Sequence, residues 1–142
     1  MAQHGACLMV AGCPLDLDIA LETRTAAAGD LKVRLHLDWA RQDFVQYFLR
    51  AAGLIVLPYT EILNSGSALL ALSFDRPILL PAVIAIPELY ELLGGNWVRL
   101  YEGELTSEVL SDAAQWAKQR PGGEFAHAPL DALDWNQLAK LT

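Results

Sequence analysis

A short polar turn stands between two apolar segments near the middle of the chain. Leu54 to Leu57 is a continuous aliphatic run, and Pro58 ends it. Asn64-Ser65-Gly66-Ser67 then supplies a helix N-cap and a glycine, and Ala68 to Leu72 continues as a good helix former. The unpaired N–H groups and the positive dipole end of such a helix start favour an anion. The turn therefore predicts a phosphate or carboxylate site, although an ordinary capped helix start would use the same residues.

Strand and helix patterns alternate on both sides of this turn. Apolar runs predict five strands, at Ala6 to Ala11, Val33 to Leu37, Leu54 to Leu57, Ile78 to Leu80 and Trp97 to Tyr101. Helices are predicted from Asp16 to Ala28, Gln42 to Ala52, Ser65 to Phe74 and Pro87 to Leu93. A last long helix is predicted to start with Thr106 or Ser107 as its cap and to end at about Gln119. The chain, 1–142, is predicted to form a single domain, in which residues 121–129 link the preceding elements to a C-terminal helix. The alternation predicts an α/β fold, with a parallel sheet covered by helices on both faces.

Composition excludes several classes of function. With 54% hydrophobic and 19% charged residues, the chain predicts one well-cored domain that buries roughly two-thirds of its unfolded surface. The net charge of −7 and the scattered basic residues argue against a nucleic-acid partner. The uncharged run from Ile62 to Phe74 is too short to cross a membrane, and Met1 to Gly12 lacks the basic start of a signal peptide. These features predict a cytoplasmic protein, free or at the inner face of the membrane.

Neither the cysteines nor the histidines predict a metal site. Cys7 lies on the first predicted strand and Cys13 lies just after it, and buried reduced thiols are favoured over a disulfide or a metal pair. His4, His36 and His127 have no metal-ligand spacing. No metal and no cofactor are therefore predicted.

The motifs along the chain resemble those of a known enzyme family. One series of motifs resembles the donor-binding half of GT-B glycosyltransferases. It consists of Pro58-Tyr59 after a strand, then Ser65-Gly66, an apolar helix, and Arg76-Pro77 before the next strand. Within GT-B enzymes, the motifs resemble those of the family-4-like sugar transferases, which are also called glycosyl transferases group 1. Ile86-Pro87-Glu88 is similar to the phosphate loop of that family, and Leu8 to Gly12 is similar to its strand that ends in glycine. The resemblance covers nearly the whole chain.

The resemblance also implies a strand order. The family has one more strand between the counterparts of the first and third predicted strands. If the chain folds alone, these two pair directly, and the right-handed crossover rule gives a Rossmann-like sheet of about five strands in the order 2-1-3-4-5. The Ser65-Gly66 turn then lies at the carboxyl end of the third strand, beside the point where the strand order reverses.

Site residues follow from matching this sequence to the family motifs. The implied donor-binding residues are Tyr59, Glu61, Asn64, Ser65, Gly66, Ser67, Arg76 and Glu88, and the implied nucleobase region is Asp38 and Trp39. Several also have an ordinary structural interpretation: a solvated carboxylate for Glu61, a surface cation for Arg76, and packing for Tyr59 and Trp39. The family's ribose-binding glutamate corresponds to Leu70, and its double glycine corresponds to Ile84-Ala85.

Two functions are consistent with these residues. The first is the donor domain of a glycosyltransferase for polysaccharide or glycoconjugate synthesis, which binds a nucleoside diphosphate sugar and transfers the sugar to an acceptor hydroxyl. Its catalytic base is unknown, and its predicted partner is an N-terminal acceptor domain, a companion chain or a second copy. The second is a non-catalytic α/β module derived from a transferase, which the departures at Leu70 and Ile84-Ala85 favour. A flavodoxin-like mononucleotide protein fits the strand order but lacks the required acidic cluster or extended phosphate loop.

Overall fold

The computed structural model describes residues 7–38, 42–58, 65–82, 90–91, 93–122 and 126–130. Tyr90, Glu91 and Leu93 are helical, and most of the predicted C-terminal helix lies outside the described residues. The other elements, in chain order, are β1 (Leu8–Ala11), α1 (Leu17–Ala27), β2 (Val33–His36), α2 (Gln42–Ala51), β3 (Ile55–Val56), α3 (Ser65–Ser73), β4 (Ile78–Pro81), β5 (Val98–Tyr101) and α4 (Ser107–Gln119). The predicted alternation of strand and helix is confirmed.

The chain divides into two compact units, Met1–Gln46 and Tyr47–Thr142. In the first unit β1 and β2 pair in parallel, from Leu8 opposite Val33 to Ala11 opposite His36. The helix α1 connects them, and Asp16 caps it by accepting a hydrogen bond from the Ile19 N–H at 2.8 Å. None of the residues of α1 is buried.

The second unit is built on a parallel sheet in the order β3-β4-β5. All four residues of the central strand β4 are buried, as expected for an aliphatic run covered on both faces. The core around this strand includes alanines and a leucine from α3 and two alanines from α4; they are Ala68, Ala71, Leu72, Ala113 and Ala117. Small residues on these helices allow a close approach to the sheet. Because α3 follows β3 and precedes β4, it begins at the carboxyl edge of the sheet and ends at the amino edge.

The predicted α/β class and the parallel pairing are confirmed. Within each unit the strands have the predicted neighbours, in the orders 2-1 and 3-4-5. The first and third strands belong to different units, and their direct pairing stays a prediction.

Candidate functional site

The predicted anion site coincides with the start of α3. Ser65 is the first residue of this nine-residue helix, and its first turn contains no acidic residue. Gly66 is exposed and Ser67 is half-buried, and both make further contacts within the chain. The first N–H groups of an α-helix have no acceptor within the helix itself. This helix start therefore lies at the carboxyl edge of the sheet, and anion binding there stays a prediction.

Several predicted site residues lie outside the described residues and stay predictions. They are Trp39, Tyr59, Glu61, Asn64 and Glu88. Asp38, from the predicted nucleobase region, is exposed two residues after the last residue of β2 and has contacts of its own. It belongs to the first unit, whereas Ser65 to Arg76 belong to the second.

Arg76 lies beyond the far end of α3 from Ser65. Nine helical residues separate the two ends by about 14 Å. The Arg76 guanidinium donates through Nη2 to the carbonyl of Arg50 at 2.9 Å, and its buried Nε has no hydrogen-bond partner. These contacts are structural, and the role of Arg76 in donor binding stays a prediction.

Leu70 occupies the position at which the family has a ribose-binding glutamate. It lies one turn after Gly66 on the same helix, so the two residues share a face of α3. Its side chain is 44% exposed. A ligand bound at this face would meet a hydrocarbon surface here, without the acceptor oxygens of a carboxylate.

A cluster of arginine and tryptophan side chains is a feature that the sequence patterns above do not predict. The Arg120 guanidinium lies 4.6 Å from the centre of the Trp97 ring and 5.9 Å from that of Trp116, and Arg99 lies 5.8 Å from Trp116. The sequence spacing of these four residues could have indicated the cluster. Trp97 and Arg99 alternate on one face around the start of a strand, while Trp116 and Arg120 are four residues apart at the end of a helix.

Two other kinds of site are absent from the described ranges. No group of three or more His, Cys, Asp or Glu side chains there could hold a metal ion. Within the same ranges, every helix is too short or too polar to cross a membrane.

Comparison with known proteins identifies relatives of the chain. No family model matches it, and no solved structure matches it. Two curated proteins, both named GDP-mannose:glycolipid 4-beta-D-mannosyltransferase and both from Xanthomonas campestris pv. campestris, are each 33% identical over 135 residues. The alignment covers 94% of this chain and 38% of each relative, so the chain spans well under half of their length. The predicted likeness to glycosyltransferases is confirmed, and it extends over nearly all of this sequence.

Proposed function

We propose that this chain is the donor-binding part of a GT-B glycosyltransferase and that its ligand is a nucleoside diphosphate sugar. The observation that carries the proposal is the 33% identity, over 94% of the chain, to transferases whose name specifies GDP-mannose. The first turn of α3, at the carboxyl edge of a parallel sheet, is consistent with it. GDP-mannose is therefore the first donor to test.

The helix start would bind the diphosphate of this donor. Gly66 allows the backbone to approach phosphate oxygens closely, and the N–H groups around it supply hydrogen bonds. When the sugar leaves, negative charge grows on the diphosphate, and the same donors stabilise that charge. The proposal also includes the other predicted donor contacts, Tyr59, Glu61, Asn64, Arg76 and Glu88, and keeps Asp38 and Trp39 as the predicted nucleobase region.

An acceptor-binding part, as an N-terminal domain, a companion chain or a second copy, would complete the enzyme. In the first unit Leu17 is 87% exposed, Leu21 is 65% exposed, and Leu8 and Met9 of β1 are 40% and 48% exposed. Large apolar side chains exposed on a strand and on a helix are often covered by a partner surface. We propose that they pack against the part of a transferase that corresponds to the remainder of the relatives, beyond the 38% that this chain covers. That part would supply the acceptor site and the catalytic base, so this chain alone is expected to have little or no transferase activity.

The name of the same relatives also supports a proposal for the cellular setting. An acceptor that is a glycolipid, as in their name, would place the reaction at the inner face of a membrane, during polysaccharide or glycoconjugate synthesis. No residue of this chain is proposed to cross the membrane.

Thermal unfolding with nucleotides tests donor binding. A ligand that binds only the folded state stabilises it by about 2.7 kcal/mol at 100 times its dissociation constant. GDP is expected to raise the Tm in proportion to the logarithm of its concentration, and UDP and ADP are expected to act more weakly. Gly66→Asp should abolish the response, because the new carboxylate repels phosphate but suits the first turn of a helix.

Gly53→Asp is the matched control for this variant. Gly53 is exposed, has open space where a Cβ atom would lie, and precedes β3 at the opposite edge of the sheet. It should leave the GDP response unchanged. Absence of a response to any nucleotide, together with formation of a dimer, would contradict the proposal and favour the non-catalytic module.

A further inference from the structure

A surface cavity of about 410 Å³, open to solvent, lies beside β5 and α4 in the second unit. Its walls include two arginines, a tryptophan and three side-chain amides: Arg99, Arg120, Trp116, Asn96, Gln115 and Gln119. A smaller cavity of about 270 Å³ shares Arg99 and Trp116 with it. The larger volume lies within the range of small-molecule sites, about 300–1,000 Å³.

The cavity wall carries fixed positive charge. Arg120 is only 7% exposed, and it donates through Nη1 to the carbonyl of Asn96 at 2.9 Å and through Nε to that of Ala117 at 3.3 Å. Burial and the charge of Arg76 both lower the pKa of Arg120. Neither carbonyl neutralises the charge of this guanidinium.

Arg99 adds a second guanidinium that is available to a ligand. It is half-buried over the Trp116 ring, and the ion pair found among the described residues, Asp75 with His127, involves neither Arg99 nor Arg120. A guanidinium held by an aromatic ring keeps its N–H donors for a phosphate or carboxylate group. Two arginines and one carboxylate, that of Asp112, line the cavity, so its charge is positive in a protein with a net charge of −7.

The same wall also carries polar side chains that could bind the hydroxyl groups of a ligand. Asp112, Gln115 and Gln119 follow one another at three- and four-residue spacing, so they form one polar stripe along α4. Their amide and carboxylate groups can accept and donate hydrogen bonds to several hydroxyl groups. The Trp116 ring provides an apolar surface for the C–H face of a sugar ring.

We propose that this cavity is a second ligand site and that it binds a phosphorylated sugar, with the phosphate at Arg99 and the sugar hydroxyls at the polar stripe of α4. The site is separate from the proposed donor site. Asn96 precedes β5 and Arg99 is its second residue, so the cavity lies toward the amino edge of the sheet, whereas α3 begins at the carboxyl edge. The proposal therefore does not depend on donor binding at Gly66.

Nuclear magnetic resonance of the tryptophan indole N–H groups tests this site. The chain has four tryptophans, and Trp116→Phe identifies the signal to follow. Glucose 1-phosphate is expected to shift the Trp116 signal to saturation, and glucose and inorganic phosphate should each bind at least about tenfold more weakly. Equal affinity for inorganic phosphate would overturn the sugar part of the proposal, and absence of any saturable shift would overturn the whole of it.

Variants separate a built site from general charge attraction. Arg99→Gln is expected to weaken binding of glucose 1-phosphate about tenfold or more. Lys118→Gln makes the same charge change at an exposed position of α4 outside the cavity, and it should leave the affinity unchanged. Equal losses in the two variants would refute the site. If Arg99→Gln does not fold, Gln119→Ala at an exposed position gives the same test through the hydroxyl contacts.

The outcomes are distinguishable from those of the donor test. Arg99→Gln should retain the Tm response to GDP, and Gly66→Asp should retain the Trp116 shift with glucose 1-phosphate. Loss of the Trp116 shift in Gly66→Asp would show that the two ligands share one site, which would overturn the proposal of a second one.

Discussion

Replacement of Asp75 tests how its contacts with His127 and Ala128 stabilise the segment that follows α4. Asp75 follows α3 with a φ of 58°, in the left-handed region that costs a residue with a side chain about 1 kcal/mol. Its carboxylate accepts the Ala128 N–H at 2.8 Å and contacts His127 Nδ1 at 2.7 Å. These two contacts connect residues 126–130 to the end of α3, so they offset the cost of the backbone conformation.

The two contacts differ in their expected energies. The bond from the part-buried Ala128 N–H to a charged acceptor contributes about 1.5–3 kcal/mol. The His127 side chain is 86% exposed, and an exposed pair contributes about 0–1 kcal/mol. Asp75→Gly removes both contacts but relieves the positive φ, and we expect it to lower the free energy of unfolding by about 2 kcal/mol. His127→Ala should lower it by less than about 1 kcal/mol.

Urea denaturation of the two variants and of the double variant measures these energies. The double variant should lose no more than Asp75→Gly alone, because His127 has no carboxylate left to contact. Asp75→Asn is a useful control, since asparagine tolerates a positive φ and keeps an acceptor oxygen for the Ala128 N–H. Stability of Asp75→Gly equal to that of the parent chain would refute this account. So would a cost of His127→Ala as large as that of Asp75→Gly, because it would assign the stabilisation to the exposed pair.

Four further predictions concern the core, a helix cap, the exposed face of α1 and the alkaline limit of stability. Leu72→Ala, at a fully buried position, should cost about 2–5 kcal/mol in urea denaturation, whereas Leu70→Ala on the same helix is 44% exposed and should cost clearly less. Thr106→Ala removes the side-chain acceptor at the N-terminus of α4 and should cost about 1 kcal/mol, which Thr106→Ser should largely restore. Leu17→Gln should change the stability of this chain by less than about 0.5 kcal/mol, because the side chain is 87% exposed, yet it should weaken binding to the proposed companion in a titration of the two polypeptides. Burial raises the pKa of Tyr101, so the folded state retains the phenol proton to higher pH than the unfolded state does. Above about pH 10 the free energy of unfolding should therefore fall less steeply with pH in Tyr101→Phe than in the parent chain. Equal slopes of the free energy of unfolding against pH would contradict this.

The local elements were predictable because their signals are local. The aliphatic run before Pro81 predicts the buried strand β4, and Asn64-Ser65-Gly66-Ser67 predicts the start of α3 at Ser65. The sequence predicts that Thr106 or Ser107 caps the last long helix, and the structure places the cap of α4 at Thr106. In each case the side chain and the backbone groups that it affects lie within four residues of one another.

The pairing of strands was not predictable in the same way. The apolar pattern of β1 shows that it is a strand but carries no information on which strand lies beside it. The division into β1-β2 and β3-β4-β5 depends on contacts between distant parts of the sequence. The exposure of Leu17 and Leu21 was not predictable either, because an apolar residue in a helix pattern does not show whether another part of the chain covers it.

The candidate site was predictable in part for a similar reason. The helix start at Ser65 and Gly66 follows from four consecutive residues, and the structure places it at the carboxyl edge of the sheet. The cavity beside β5 combines residues 96–99 with residues 112–121, and only the fold brings these two stretches together.

The buried position of β4 has a consequence for local opening of the protein. Its four residues are buried, and it is hydrogen-bonded to a strand on either side, so its amide protons should exchange with solvent only when the second unit unfolds as a whole. The amides of α1, which has no buried residue, should exchange far earlier. A nucleotide bound at Gly66 would then slow exchange in β4 and leave α1 unchanged. Hydrogen exchange can thus locate a ligand within this chain even when the melting curve shows only a single transition.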